Sequence, residues 1–501
     1  MRQSGVLMHM TSLPSPGGVG TLGKEAYAFA DFMEKAGLRV WQMLPIGPTG
    51  YGESPYQSGS THAGNPMLID LELLREEGLL DAELPDPASD PDRVDFPNVR
   101  ARKEALLRLS FQQSFARVEK DVREFSARHA WSPDGKRNVN WLDTYALYAA
   151  IKDSCGGAMW TKWPKEYQDV RRVDAAPFQE SADFYRYCQW LFFRQWQALK
   201  DYVHAKGIAL FGDMPIYVAE DSADTWAEPE LFQLDKKDFT PLRVAGVPPD
   251  YFCADGQRWG NPLYDWKKMR RDRFRWWLRR LHSAGAMFDW LRIDHFIGFA
   301  NYYSIPASCP TAREGKWVKA PGKALFKRAE RALPDLKIIA EDLGEVGPRV
   351  RKLINYFGYP GMKVIEFGFD SDETNPHFPG NIVKNCVAYT GTHDNDTVQG
   401  WWDKAAEPVK ELARKTLPPA DNICEAMIEC VFASAAETAI VPMQDFLHLG
   451  GEARMNFPGT VGGNWLWRMR PGAASDALAA HIRGLNERTG RMAGKRPAKE
   501  E

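Results

Sequence analysis

The chain alternates short apolar runs with segments of helical periodicity along most of its length. Each apolar run contains β-branched residues and ends in a polar or Gly/Pro cluster, as strands buried on both faces of a parallel sheet do. The runs predict eight strands: GVLMHMTSL (5–13), RVWQMLPI (39–46), IALFGDMPIYV (208–218), MFDWLRIDHF (287–296), LKIIAEDLG (336–344), GMKVIEFGF (361–369), CVAYTGTHD (386–394) and AIVPMQDFL (439–447).

Helical patterns lie between several of these runs. Residues 182–205 place apolar side chains at steps of three and four and stop at Lys206-Gly207. Residues 24–36 stop in the same way at Gly37, and a strand run follows each stop. Strands alternating with helices predict an α/β protein with a (β/α)8 TIM barrel. The chain has no GxxxxGK[ST] motif after an early strand, which argues against a phosphate-binding loop of the P-loop type.

The spacing of the strand runs is uneven. Residues 47–207 separate the second run from the third, far more than one crossover helix requires. We therefore expect inserted subdomains after strands 2 and 3: a mainly helical one at about 67–180 and an irregular, substrate-binding one at about 219–270. Residues 1–490 are predicted to form a single catalytic barrel without a C-terminal β-domain, followed by a disordered tail at 491–501.

Composition narrows the class of protein. A hydrophobic fraction of 44% and 64 basic against 66 acidic residues fit a globular chain that binds neither nucleic acid nor a membrane through net charge. The sequence has no apolar run of about 18 residues, and its N-terminus does not resemble a signal peptide. Seven cysteines without a CxxC spacing indicate free thiols. We expect a cytoplasmic protein with no metal and no cofactor.

Aromatic residues are unusually placed. Several of the 18 tryptophans lie in polar, Gly-rich segments: Trp259, Trp401, Trp402, Trp465 and Trp467. Flat rings beside polar groups suit the mixed faces of a sugar, although filling a large core explains at least half of the tryptophans equally well.

Three strand runs end in carboxylates. Asp294 follows Arg292, Glu341 ends the next run, and Asp394 follows His393. A single Asp at a strand end is often only a helix N-cap. Three carboxylates in the same register, beside a guanidinium and an imidazole, instead predict an active site at the mouth of the barrel.

Retaining glycoside chemistry gives each carboxylate a separate role. Asp294, kept charged by Arg292, is the candidate nucleophile. Glu341, in an anionic and partly buried setting, is the candidate acid/base. Asp394 would hold sugar hydroxyls more tightly as the ring flattens. The neighbouring polar residues are interpreted as local caps or support: His295, Asp342 and Asp396.

Longer motifs point to one family. Seven stretches carry them: YGESPYQSGSTHAGNP (51–66), FGDMPIYVA (211–219), GVPPDYFCADGQRWGNPLYDW (246–266), LRIDHF (291–296), IAEDLG (339–344), YTGTHDNDT (389–397) and NFPGTVGGNW (456–465). As a set, and in this order, they closely resemble the 4-α-glucanotransferases of glycoside hydrolase family 77, the amylomaltases or disproportionating enzymes. The resemblance extends from about residue 4 to about residue 467.

The resemblance implies a double displacement in which Asp294 becomes glycosylated, Glu341 is acid and then base, and Asp394 stabilises the transition state. It also implies contacts with substrate from ten residues: Tyr56 as a sugar platform, Asp213, Arg292 and His393 at the donor subsite, Asp250, Tyr251 and Phe252 in a loop over the acceptor side, and Gln257, Trp259 and Asn464. The family lacks the structural calcium and C-terminal β-domain of typical amylases, and no Asp-rich calcium loop stands in this sequence.

Three functions remain open from the sequence. The preferred one transfers glucan segments among maltooligosaccharides, starch or glycogen-type α-1,4-glucans and glucose. The second is an α-glucan hydrolase, in which water intercepts the same intermediate. The third is a glucan-binding protein on a degenerate barrel, and the presence of all three carboxylates argues against it.

Overall fold

The eight strand runs form one parallel barrel. The computed structural model describes residues 2–84, 90–135, 138–249, 254–344 and 346–492. The barrel strands are β1 (Gln3–Leu7), β2 (Val40–Gln42), β3 (Ala209–Met214), β4 (Trp290–Ile293), β5 (Lys337–Ala340), β6 (Gly361–Val364), β7 (Cys386–Tyr389) and β8 (Thr438–Pro442). They pair in the order β5-β4-β3-β2-β1-β8-β7-β6. All residues of β7 and β8 are buried, in keeping with their apolar sequences.

The barrel closes between β5 and β6. The main-chain N–H of Ala340 donates to the carbonyl of Pro360 at 2.9 Å. Asp342 Oδ1 accepts from the N–H of Met362 at 2.7 Å, so a side chain continues the seam that the backbone begins. The predicted TIM barrel is confirmed. Beyond β8, the part of the chain described up to Met492 adds helices but no further strand, as predicted.

Helices surround the barrel and fill its connections. The helix Lys24–Ala36 ends at Gly37, whose φ of 75° is the left-handed conformation that glycine adopts at low cost. The other helices are Leu71–Glu76, Phe96–Arg128, Trp141–Ser154, Gln179–Ala205, Ala223–Ala227, Trp266–Arg271, Arg275–Met287, Gly322–Ala332, Pro348–Phe357, Ile365–Gly368, Val398–Lys404, Glu407–Thr416, Ile423–Ala433, Met443–Phe446 and Asp476–Arg488. No helix in the described ranges is long and apolar enough to cross a membrane.

The long connection between β2 and β3 is mainly helical. Its helix Phe96–Arg128 packs along Gln179–Ala205, where Tyr187 Oη lies 2.7 Å from Ser110 Oγ and 2.8 Å from Ser114 Oγ. A two-stranded ribbon, Ala130–Trp131 with Val139–Asn140, follows the long helix.

A second sheet lies outside the barrel. Its antiparallel strands are ordered Lys316–Lys319, Asn301–Pro306, Arg243–Val247 and Gln257–Pro262. Residues 219–270, expected to be irregular, therefore contribute two of its strands. Gly246, Gly260 and Pro262 interrupt the apolar alternation there, which hides a strand from pattern analysis.

The cysteines that the structure describes are all free thiols: Cys155, Cys188, Cys309, Cys386, Cys424 and Cys430. The predicted tail is wrong at its first position, since Arg491 is fully buried. Residues 493–501 lie outside the described part of the chain.

Candidate active site

The three carboxylates stand at one end of the barrel because their parallel strands end there. Asp294 directly follows β4, Glu341 directly follows β5, and Asp394 lies five residues beyond β7. The Asp294 N–H donates to the carbonyl of Met214 at 3.0 Å, and the Glu341 N–H donates to that of Ile293 at 3.2 Å. The hydrogen bonds between the barrel strands thus continue through both residues. They fix the main-chain positions from which the two side chains extend.

A buried arginine orients the first carboxylate. Arg292 Nη2 donates to Asp294 Oδ1 at 2.9 Å, and Arg292 Nη1 donates to Asp213 Oδ2 at 2.5 Å. The Tyr56 hydroxyl donates to the same Asp213 oxygen at 2.9 Å. Burial opposes the charge of Arg292, but Asp213 and Asp294 outweigh it and raise the pKa of Arg292 well above its usual value. The Asp294 side chain, 30% exposed, is therefore held by a permanent cation while remaining open to a ligand.

Glu341 has the opposite environment. It is buried, and that burial raises its pKa to about 8, with a further upward push from the charge of Asp294. Arg292 and two main-chain donors pull the pKa down: Oε2 accepts from the His295 N–H at 2.6 Å and Oε1 from the Leu343 N–H at 2.7 Å. Glu341 thus keeps its proton at neutral pH, while its oxygens stay fixed in position.

His295 has a conformation that the sequence does not reveal. Its φ of 48° and ψ of 48° are left-handed, which costs a residue other than glycine about 1–2 kcal/mol. This turn directs its N–H at Glu341. Its imidazole lies edge-on to Trp259, with ring centroids 4.9 Å apart, and burial lowers its pKa to about 4, so the ring is neutral. His295 was interpreted from the sequence as a cap or support, and the structure shows that its support reaches Glu341 through the main-chain N–H.

Asp394 is the most exposed of the three carboxylates, with 45% of its side chain accessible. The Asn456 amide donates to its Oδ1 at 2.6 Å, and Arg454 Nη2 donates to its main-chain carbonyl at 2.6 Å. His393 Nε2 lies 3.4 Å from the same Oδ1. Sequence analysis missed Asn456 and Arg454 as partners, although Asn456 begins the NFPGT motif.

An aromatic wall adjoins Asp394. The rings of Tyr56 and His393 stack with centroids 5.2 Å apart and an interplanar angle of 17°. Trp465 lies 5.9 Å from Tyr56 and 6.0 Å from His393. Such a wall offers flat apolar faces beside the hydrogen-bonding groups of the site, as a sugar requires.

The other tryptophans from the Gly-rich segments have different settings. Trp259 is at the site through His295, whereas Trp467 is buried. Trp401 and Trp402 lie on the helix Val398–Lys404, and Trp401 packs against Phe369.

The other residues predicted to contact substrate have different settings in the structure. Gln257 Oε1 accepts from the Trp259 indole at 3.0 Å, so both are held on the strand Gln257–Pro262. Asn464 is buried, and its side chain accepts from the Phe457 N–H at 3.0 Å and donates to Thr460. These hydrogen bonds stabilise the loop to which Asn464 itself belongs. Three predicted residues lie outside the described part of the chain: Asp250, Tyr251 and Phe252.

Two neighbouring acids have local roles, as expected. Asp342 completes the β5–β6 seam. Asp396 accepts from the Thr397 N–H at 2.9 Å and from Lys404 Nζ at 2.5 Å. Within the ranges described, no group of three or more His, Cys, Asp or Glu side chains is placed to hold a metal ion.

Known proteins match this chain over nearly its whole length. The model of glycoside hydrolase family 77, described as 4-alpha-glucanotransferase, matches residues 8–474. The 4-alpha-glucanotransferase of Thermus thermophilus is 46% identical over 98% of this chain and 99% of its own length. A chloroplastic/amyloplastic 4-alpha-glucanotransferase of Solanum tuberosum is 41% identical over 97% of this chain and 85% of its own.

A solved structure extends the similarity to the fold. The amylomaltase from Streptococcus agalactiae, in complex with acarbose, matches with a TM-score of 0.92 and 38% identity. The match covers 98% of this chain and 100% of the other. The family model and the close relatives both span nearly the whole chain, and the chain therefore belongs to the 4-alpha-glucanotransferase family.

Proposed function

We propose that this protein transfers a segment of a (1→4)-α-D-glucan to the 4-hydroxyl of an acceptor glucose or glucan, through a covalent glycosyl-enzyme. The observation that carries the proposal is the pairing of Asp294, hydrogen-bonded to the Arg292 guanidinium, with a buried Glu341 whose pKa is raised to about 8. An oriented carboxyl beside one that keeps its proton is what a nucleophile and an acid require.

The first half-reaction breaks the donor. An Asp294 oxygen attacks the anomeric carbon while the glycosidic C–O bond breaks, and the leaving oxygen takes the proton of Glu341. Arg292 donates to Asp294 Oδ1 and so fixes the direction of attack. Asp394 binds sugar hydroxyls that it holds most tightly when the ring is flattened in the transition state.

The second half-reaction reverses these roles. Glu341, now a carboxylate, takes the proton from the acceptor 4-hydroxyl, whose oxygen attacks the anomeric carbon and releases Asp294. Two inversions at one carbon retain the α configuration. Tyr56, Asp213 and His393 support the donor sugar in this proposal, since they form one connected group beside Asp394.

The acceptor in this proposal is a sugar rather than water. Trp259 supports this choice: it lies against His295, the main-chain partner of Glu341, and a flat ring there binds a second pyranose but gives no advantage to water. The related amylomaltase with acarbose bound also supports a saccharide site. We infer that maltooligosaccharides and starch or glycogen-type glucans are donors and that glucose is an acceptor.

The inserted segments complete the proposal. We propose that residues 67–180 and 219–270 are subdomains of one catalytic barrel that spans residues 1–490. Residues 219–270 would cover the acceptor side, with Gln257 and Trp259 among the glucan contacts.

Incubation with maltotriose tests the activity. Transfer yields glucose together with a ladder of longer maltooligosaccharides, separated by chromatography. Asp294→Ala should form neither, whereas Asp476→Ala, which removes an exposed carboxylate paired with Lys35, should give the wild-type ladder. Maltose and glucose that accumulate without a ladder would identify a hydrolase and overturn the proposal.

A further inference from the structure

A carboxyl group lies beneath the site with no part in the proposed chemistry. Glu366 is in the short helix Ile365–Gly368, directly after β6, and only 3% of it is exposed. Its Oε1 is buried without a hydrogen-bond partner among the described residues. A buried, incompletely bonded carboxyl costs free energy, so its presence calls for a functional reason.

Glu366 supports the turn that follows β7. Its N–H donates to the carbonyl of Thr390 at 3.3 Å. A Cβ placed on Gly391 would lie 3.0 Å from Glu366 Oε1 and 3.2 Å from Asn395 Cβ, so the main chain rests against the carboxyl. A side chain at position 391 would require the Glu366 carboxyl or Asn395 to move by a few tenths of an ångström.

The turn Thr392–Asn395 carries two residues of the site, His393 and Asp394, between its ends. Asn395 Oδ1 accepts from the Thr392 N–H at 2.9 Å and from the Thr392 hydroxyl at 2.8 Å. Both interactions engage the side-chain oxygen of Asn395 and hold the turn closed. The amide nitrogen of Asn395 remains available to the Glu366 carboxyl, whose pKa Asn395 lowers.

The protonation state of Glu366 fits this contact. Burial raises the pKa of Glu366 well above its usual value, and the nearby carboxylates Asp445 and Asp396 raise it further. The Asn395 amide and Arg454 lower it by less. A neutral acid beneath the turn adds no negative charge below Asp394, and it has the shape of a glutamine.

We propose that Glu366 is a positioning residue: its carboxyl holds Asn395 and Gly391 from below and so fixes the turn that presents His393 and Asp394 to the donor sugar. The inference rests on the proposed function, since it assumes that Asp394 acts on the transition state. A displacement of about 1 Å at such a group can lower a rate by about 100-fold.

Two substitutions of Glu366 separate positioning from bulk stability. Glu366→Gln keeps the shape and the neutral acceptor, so kcat for disproportionation of maltotriose should stay within about threefold of wild type. Glu366→Leu fills the volume but cannot hold Asn395, so kcat should fall by about 10- to 100-fold with little change in KM. Glu366→Leu also removes a buried oxygen that has no hydrogen-bond partner. Its melting temperature should therefore not fall together with its kcat.

A double-mutant cycle tests the route through the amide. If Glu366 acts through Asn395, the double variant E366L/N395A should be no slower than the slower single variant. Asp183→Asn is the control, because it weakens a buried ion pair with Arg123 and Arg186 far from the site. It should lower stability and leave kcat unchanged.

Several outcomes would overturn the inference. A wild-type kcat in E366L, an E366Q variant as slow as E366L, or fully additive losses in the cycle would each do so. If E366L does not fold, the inference is tested by comparing E366Q with N395A. The inference requires E366Q to be active and N395A to be slow. Asp394→Ala distinguishes this failure from that of the proposed function: if it retains full activity, the role of Asp394 itself is wrong.

Discussion

At the scale of single residues, the chemistry depends on two carboxyls in one mouth that have different environments. The Asp294 side chain is 30% exposed and accepts from a guanidinium, whereas Glu341 is buried and accepts from the main-chain N–H groups of His295 and Leu343. Burial raises the pKa of Glu341 and keeps it in the acid form, while the guanidinium orients Asp294. Such a division allows attack and proton donation in the same step.

The pKa of Glu341 predicts an alkaline limb in the rate. The acid form donates the proton, so kcat/KM for maltotriose should be high below pH 8 and fall as the pH rises through about 8. The same shift means that the folded state holds a proton between the ordinary value of 4.5 and about 8 that the unfolded state has lost. This group's contribution to stability accordingly decreases with rising pH across that window. A rate profile that already falls near pH 5 would contradict the prediction.

Substitution of Glu341 tests its role as the acid. Glu341→Gln cannot donate a proton, so turnover of maltotriose should fall by at least about 100-fold. Glycosylation by α-glucosyl fluoride, whose leaving group needs no proton, should continue, and stopped-flow release of fluoride measures it. An equal loss with both donors would assign Glu341 another role.

At the scale of elements, the strand ends place the side chains, and one strained turn refines them. β4 passes through Asp294 into the left-handed His295 and then into the 3-10 helix Phe296–Phe299. Without that turn the His295 N–H would not reach Glu341. The strain is therefore part of how the acid is held.

Two substitutions of His295 test the importance of this turn. His295→Gly adopts the same φ without a Cβ penalty and keeps the N–H, so kcat should remain within about tenfold of wild type. His295→Val places a β-branched residue in the left-handed region, at an added cost of about 1–2 kcal/mol or more. We expect a lower melting temperature and a lower kcat for Val than for Gly. Equal melting temperatures and equal kcat values for the two variants would show that the left-handed turn affects neither stability nor catalysis.

The sequence predicts the elements better than the contacts between them. Eight apolar runs became eight strands because a strand buried on both faces requires nearly continuous apolar residues. Gly37 marked a helix end for a local steric reason. The partners of Asp394 could not be predicted, since Asn456 comes from 62 positions away and only tertiary packing brings it there. The left-handed His295 was missed because no local pattern encodes it.

At the scale of the whole molecule, the first and last segments of the described chain meet below the barrel, opposite the active site. Arg2 donates to the carbonyls of Phe432 and Ser434 at 2.7 Å. Arg491, with no exposed surface, donates to the carbonyls of Phe432 at 2.6 Å and Gln3 at 2.9 Å. Arg491 thus joins the end of the helix Ile423–Ala433 to the first strand.

Loss of Arg491 should therefore reduce stability without affecting catalysis. Arg491→Met keeps most of the volume but removes the hydrogen bonds from the guanidinium to the carbonyls of Phe432 and Gln3, and a hydrogen bond to a charged group contributes about 1.5–3 kcal/mol. Arg470→Met is the matched control: Arg470 pairs with Asp92 on the surface, with 70% of its side chain exposed, so its loss should cost under about 1 kcal/mol. Thermal unfolding should show a melting temperature several degrees lower for Arg491→Met than for Arg470→Met, with wild-type kcat in both at 25 °C. Equal melting temperatures would mean that the segment around Arg491 does not unfold together with the barrel. A segment that unfolds independently does not change the stability of the rest of the protein when its hydrogen bonds are lost.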